Sequence, residues 1–259
     1  MQIGALAWRM TPHDPTERGC LAGVCADKTG RIRLMAYILS NYGSLLLRAM
    51  GQTLLLALSG LFFASIIGLI FGLLAVVHNK ACNVIETVFV DIIRGVPMIV
   101  LAYFVYFGIP YFLNNMMGQN VTLSALTAGT ICLSLNCGAY MAEIIRAGIQ
   151  SVDPGQMEAA RSLGLPYGKA MRKVVMPQAI RTMIPTIINQ FIITLKDTSI
   201  LSVIGFPELV NSAKNVVANT FRSFQTWFIV AVMYLIIILA LSKAAKVIER
   251  RLNRGRKAV

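Results

Sequence analysis

Long apolar runs separated by short polar segments dominate the chain. After Arg48 no charged residue appears until Lys80, which predicts a membrane span over 53–77. Gly60, Ala64, Gly68 and Gly72 recur every four residues along it, a small-residue face that lets another helix approach closely. From Gly95 to Ala142 charge is again absent, over a stretch too long for one crossing. The polar stretch "NNMMGQNVT" at 114–122 supplies a turn and divides it into spans over 96–113 and 123–142. A polar segment, Glu143 to Arg181, follows. A fourth span over 182–202 meets Lys196 and Asp197 before its end, and a fifth covers 225–241. Lipid tolerates only helices or closed barrels, so the pattern predicts an all-α membrane protein with one transmembrane domain over 53–246. Residues 35–52 read as an extracytoplasmic or interfacial lead-in, 1–34 as a tail without assignment, and 247–259 as a basic cytoplasmic tail.

Composition agrees. Of the 259 residues 56% are hydrophobic and 14% charged, against about 25% charged in soluble domains. Mean hydropathy is +0.68. The net charge of +13 does not indicate nucleic acid, because the lysines and arginines sit in short segments between apolar runs. The tail and the Glu143–Arg181 loop carry most of them, which puts both in the cytoplasm and the N-terminus outside. Arg9, Arg18, Lys28, Arg31 and Arg33 disagree, since they would lie outside. No signal-peptide apolar region precedes them, and a working start at or near Met35 would remove all five. The five cysteines form neither a CxxC nor a zinc spacing. Cys132 and Cys137 sit in an apolar run, and Cys20 and Cys25 read as thiols on a loose tail that would pair only in an extracellular segment. His13 and His78 suggest no site, and no metal ligand set or catalytic constellation is legible.

The polar loop is heavily punctuated. Asp153 caps a helix, Pro154 takes its first position and Gln156 sits where a capping box wants it. Gly164 is a C-terminal cap and Pro166 blocks continuation. The predicted helix, 154–163, puts Met157, Ala160 and Leu163 along one side. A second helix is expected over 168–176, ended or kinked by Pro177. So short a helix is marginal alone in water and needs a docking surface; lipid head groups are the bland candidate. "GLPYGKA" at 164–170 is no nucleotide loop, because it has too few residues between its glycines and Ala170 follows the lysine.

Glu158-Ala159-Ala160, then Gly164, then Val174-Val175-Met176-Pro177 resembles the EAA loop of permease subunits of type I ABC importers, with matching spacing throughout. "RGVPMIVLAYFVYFGIP" at 94–110, "YMAEIIRAGIQSVDPGQMEAA" at 140–160 and "LKDTSIL" at 195–201 are similar to the polar amino acid subfamily, the permeases of glutamine, glutamate, histidine and arginine type. The resemblance covers residues 37–257. It implies the type I importer fold, five membrane helices with a cytoplasmic coupling-helix loop, in a bacterial cytoplasmic membrane. It implies no cofactor in this chain, with ATP and Mg on partner ABC ATPase subunits. The further implied partners are an extracytoplasmic amino-acid-binding protein and a second permease subunit, either another copy or a different chain. It assigns Gly155, Glu158, Ala159, Ala160, Gly164 and Pro177 to ATPase coupling.

Lys196 and Asp197 have two readings. Adjacent residues on a helix point about 100° apart, so the two are not partners across a turn. They are hydrated at the outer interface, or they lie on the pathway, as ionisable residues within spans do by default; the likeness of Lys196, Asp197, Thr198 and Ser199 to a family segment favours the second. Arg94, Gly95 and Pro97 begin the second span, and Glu143 and Arg146 form an i, i+3 pair; all five read as structural support. A membrane enzyme would need a convergent reactive set that the chain lacks. A non-transporting anchor or sensor would explain the basic tail but not the EAA spacing.

Single cysteines at Asn115→Cys and Ser242→Cys in a cysteine-free variant should label from opposite sides of the membrane, residue 115 from outside. Labelling of both from one side would refute the five-span topology.

Overall fold

The computed structural model describes residues 28–77, 79–118 and 120–253. Cys20, Cys25, His13, His78, Arg9 and Arg18, and the end of the basic tail beyond Asn253, lie outside the described residues. Among those described, ten α-helices follow one another with no strand: α1 Lys28–Leu74, α2 Lys80–Gly95, α3 Met98–Tyr103, α4 Ile109–Met117, α5 Ala125–Gln150, α6 Pro154–Ser162, α7 Tyr167–Ala170, α8 Met176–Asp197, α9 Leu209–Thr220 and α10 Ser223–Asn253. Five stretches are long and apolar enough to cross a bilayer: Leu34–Leu74, Met98–Met116, Ala125–Gln150, Tyr167–Ile204 and Ser223–Val247. The all-α, five-span architecture is therefore present, with boundaries that differ from those predicted.

The first span does not begin at Thr53. Residues 35–52 are helical and continuous with it, making α1 47 residues long, about 70 Å at 1.5 Å per residue. Two causes act together. The polar residues in this stretch bond back onto the helix: Ser40 Oγ and Asn41 Nδ2 donate to the Tyr37 carbonyl at 3.0 and 2.9 Å, and Thr53 Oγ1 donates to the Ala49 carbonyl. Ile38, Leu46, Ala49 and Met50 are buried with Leu209, Ala213 and Val216 of α9 and Ile229 and Val230 of α10. A lead-in packed on two helices has no reason to unwind.

The third span runs on to Gln150, eight residues into the segment expected to be loop, and α10 continues through the basic tail to Asn253. The expected separate helix over 168–176 does not exist as such. From Tyr167 to Ile204 the chain is helical without a break, and Pro177 neither ends nor interrupts it. The reason is a π turn over Met171–Val175 directly ahead of the proline. A proline ring collides with the carbonyl four residues back and offers no N–H; a wider turn just before it changes which carbonyl lies there. Span two repeats the device, with a π turn over Phe104–Gly108 ahead of Pro110.

Two helices had no sequence-level counterpart. Asn79 caps α2, its Oδ1 accepting from Ala81 N at 2.9 Å, and Phe89 of α2 stacks on Phe71 of α1 at 3.9 Å. Glu208, fully buried, caps α9 by accepting from the backbone N–H groups of Val210 and Asn211, and Tyr234 OH of α10 reaches the same carboxylate at 3.3 Å. Leu209 N donates to Thr53 Oγ1, which ties α9 to α1.

The predicted small-residue face packs against α5. A Cβ at Gly68 would lie 2.3 Å from Met141 Cβ, and one at Gly60 or Gly72 would lie 2.7 Å from the Cβ of Leu133 or Ile145. From the α5 side, a Cβ at Gly138 would meet Ile67 at 2.8 Å. Gly68→Val should therefore overpack the seam and cost about 1–3 kcal/mol. Gly43→Ala, where no atom lies within 4 Å of the added carbon, should instead gain roughly 0.5–1 kcal/mol of helix stability. Thermal unfolding of the detergent-solubilised variants checks both, and equal midpoints would contradict the close seam.

Candidate functional site

The loop between spans three and four is a short helix closed at both ends by caps. Asp153 stands at the N-cap, its Oδ1 accepting from Gly155 N at 2.9 Å, and Pro154 opens the helix. Gly155 sits so near this carboxylate that an added Cβ would lie 3.2 Å from Asp153 Oδ1. At the other end Gly164 has φ +85°, Gly164 N donates to the Arg161 carbonyl and Leu165 N to the Ala160 carbonyl. That pair of bonds is a Schellman motif, which needs a left-handed residue at the glycine. The chain then turns back through Pro166 into α7.

One side of α6 is anchored. Ala160 is buried, and Met157 packs against a cluster of Ile145, Ile149, Val175, Ala179 and Met183, drawn from α5, the π turn and α8. Gln178 Nε2 reaches Gln156 Oε1 at 3.4 Å. Glu158, Ala159 and Arg161 face outward. The predicted stripe of Met157, Ala160 and Leu163 breaks at its last member: the helix stops at Ser162, the backbone of Leu163 leaves helical geometry to enter the turn, and its side chain is 84% exposed. Pro177 is exposed behind the π turn. The EAA residues are thus a capped knob whose outer surface carries Glu158, Ala159 and Arg161, seated on the C-terminal end of α5 and the N-terminal end of α8.

Deeper in the bundle, Asp197 lines a cleft of about 440 Å³ together with Arg94, Pro97, Asn136, Tyr140 and Gln190. Four elements meet there: the end of α2, the start of α3, the middle of α5 and the outer half of α8. Of the four residues grouped in sequence, Lys196, Asp197, Thr198 and Ser199, only Asp197 faces this space. Lys196 points to the exposed side of α8. Thr198 is fully buried and its hydroxyl donates to the Leu195 carbonyl at 2.7 Å; the Ser199 hydroxyl donates to the Lys196 carbonyl at 2.7 Å. Both hydroxyls are spent on helix carbonyls freed where α8 tightens into the 3₁₀ turn Thr198–Ile204.

The residues read as support are brought together, and their grouping is richer than an i, i+3 pair. Arg146 does pair with Glu143, through Nε at 3.1 Å and through Nη2. Arg146 Nη1 also reaches Gln150 Oε1 at 3.4 Å. Glu143 Oε2 lies 3.9 Å from Arg94 Nη1, and the Arg94 guanidinium stands over the Tyr140 ring at 5.1 Å. Pro97 joins the same wall of the cleft, whereas a Cβ on Gly95 would meet nothing within 4 Å. Glu86 of α2, 4% exposed, faces this group from the other side. Its burial pushes the carboxyl above its ordinary range, with the Thr87 hydroxyl and Arg146 opposing. Asn136, Tyr140, Gln190 and Glu86 were not singled out from the sequence. A signal existed for the first two: with Glu143, Arg146 and Gln150 they fall at i, i+4, i+7, i+10 and i+14, one face of α5.

Known proteins resemble this arrangement closely. Residues 64–254 match the family described as binding-protein-dependent transport system inner membrane component. The glutamine transport system permease protein GlnP of Escherichia coli K12 is 37% identical over 209 residues, which is 81% of this chain and 93% of that one. The crystal structure of an amino acid ABC transporter with histidines superposes with a TM-score of 0.75 at 38% identity, covering 82% of this chain and 96% of that one. An inward-facing structure of the MetNI methionine ABC transporter shares the fold at 20% identity, with a TM-score of 0.67. The family match takes in most of the spans and the whole loop between the third and fourth, and the chain belongs to the family of inner-membrane components of binding-protein-dependent transport systems.

Proposed function

We propose that the chain is the permease of an importer for a polar amino acid, with glutamine the first candidate. The names of the relatives support this class, as does a cleft between the helices offering both a guanidinium and a carboxylate to a zwitterion. ATP and Mg belong to partner ATPase subunits, so the chain itself is no enzyme. A binding protein delivers the substrate from outside, and the C-terminal tail lies in the cytoplasm of a bacterial cell. The observation that carries the coupling role is the projecting α6 with its outward Glu158 and Leu163. In this reading α6 seats in a cleft on the ATPase, and closure of the ATPase pair is passed to α5 and α8 through Met157 and Gln178.

The second permease subunit has support of its own. Thr186, Asn189 and Lys196 form an exposed stripe along span four, at i, i+3 and i+10. Polar side chains inside a bilayer are costly unless they face protein or water. A partner permease enclosing a watered pathway removes that cost. A non-transporting anchor would leave both this stripe and the cleft without a use.

Glu158→Lys should weaken docking twice, by placing a cation near the positive end of the α6 dipole and by removing a carboxylate from the outer face. Gly164→Val should fail for a different reason, because a β-branched residue is strained at φ +85°. Both variants should insert normally yet lose ATP-driven uptake and retain less ATPase on purification. Wild-type retention and uptake in both would reduce the segment to a surface loop.

For the pathway, Asp197→Asn should lower L-glutamine uptake at least about tenfold, the loss expected when a charge-assisted contact worth about 1.5–3 kcal/mol is removed. Lys196→Met should impair uptake through the neighbouring exposed face. Normal uptake kinetics in both, with the complex assembled, would make them a hydrated pair outside the pathway.

A further inference from the structure

Two polar clefts lie in line along α5, and a single ion pair separates them. The first is the 440 Å³ cleft that holds Asp197, with Asn136 and Tyr140 on its α5 wall. The second, about 320 Å³, lies one to two turns nearer the end of α5; Glu143, Arg146 and Gln150 form its α5 wall, and Glu86 and Asp91 of α2 stand opposite. Arg94 lines only the first and Glu143 only the second, and their charged atoms are 3.9 Å apart. The ladder Asn136, Tyr140, Glu143, Arg146 and Gln150 spans roughly 21 Å at 1.5 Å per residue. It ends just before Asp153, the cap of the knob that would meet the ATPase.

The members of the pair are held unequally. Glu143 is clamped by two bonds from Arg146 on its own helix. Arg94 stands at the last turn of α2 and contacts the group through the Tyr140 ring and the 3.9 Å approach to Glu143, a separation beyond direct hydrogen bonding. Behind Arg94 the chain is extended at Val96, with φ −92° and ψ 127°, before α3 begins. The guanidinium therefore sits on a helix end beside a break, facing a fixed carboxylate.

We propose that Arg94, resting on Tyr140 and facing Glu143, is an inner gate on a route along the α2–α5 seam of each permease. The proposal rests on the amino acid import reading. In the closed state Arg94 stays with Glu143 and separates the clefts. An amino acid in the first cleft presents a carboxylate that competes with Glu143 for the guanidinium while Asp197 faces its ammonium group. Displacement of α2 relative to α5, driven from the α6 end, then releases Arg94 from Glu143 and joins the two spaces. Glu143 and Arg146 are positioning residues in this scheme. Arg94 is the moving one.

The test uses the full chain assembled with its ATPase in inside-out vesicles, in a cysteine-free background carrying Asn136→Cys in the first cleft. The probe is a membrane-impermeant cationic methanethiosulfonate added from the cytoplasmic face. Arg94→Ala should accelerate modification about tenfold, the change given by a barrier lowered by one power of ten. Arg94→Lys should stay near the parent rate. Glu143→Gln, which removes the charge without changing size, should accelerate it about threefold or more, a gap of roughly half that free energy. It stands as the second variant if Arg94→Ala fails to retain the ATPase. An unchanged rate in the variants that assemble overturns the gate. The Glu143→Gln complex, which keeps the Arg94 guanidinium in the first cleft, should let radiolabelled L-glutamine equilibrate without ATP. Acceleration without that leak keeps the barrier and overturns the amino acid reading instead.

Discussion

The close approach of α1 to α5 organises the molecule. At Gly68 no side-chain carbon fits between the helices, since it would stand 2.3 Å from Met141 Cβ. Within lipid there is little hydrophobic drive to bring helices together, so van der Waals contact along small residues does the work. Gly60, Gly68 and Gly72 provide it from one side and Gly138 from the other. Held this way, α5 becomes the buried axis of the domain, and α2 and α8 pack on its remaining faces. Its polar ladder then faces α2 and the clefts, and Glu143 and Arg146 neutralise each other there, half-buried.

Continuity of the helices matters as much as their packing. Span four begins at the turn behind α6 and runs past Asp197 through the 3₁₀ turn. Pro177 sits where a kink would disconnect the two ends, and the π turn before it keeps the rod whole. The α6 end and Asp197 are therefore joined by one continuous helical stretch, with Pro185 inside it. Packing of Met157 against Ile149, Val175 and Met183 seats α6 against that stretch. The outward face of α6 remains unused by the chain itself, as a docking surface for a separate subunit requires.

Several buried hydroxyls and carboxylates are satisfied by nearby backbone. Thr53, Thr194, Thr198 and Ser199 return their hydroxyls to helix carbonyls, and Glu208 gives both oxygens to the N-terminus of α9. Against that background the exceptions stand out. Asp197, Arg94, Asn136 and Gln190 converge on one cleft instead of closing on their own backbone, the placement expected of polar groups within spans, which face the bundle interior or a cavity.

Much of this was legible in the amino acids alone. Runs of apolar residues set the number of crossings, because the hydrocarbon thickness demands about 20 residues in each. Asp153, Pro154, Gly164 and Pro166 marked the ends of α6, because capping is local chemistry between residues a few positions apart. The small-residue face was visible as a four-residue period. What only the tertiary structure decided depends on neighbours distant in sequence. Residues 35–52 are helix because α9 and α10 cover them. Leu163 faces outward because the Schellman turn departs before it can join the stripe. Arg94 and Glu143, on different helices, become one group because α2 folds back on α5, and Asp197 parts company with Thr198 and Ser199 because the tightening helix claims their hydroxyls. A local pattern specifies which groups each helix carries; only the packing of helices decides which of those groups meet.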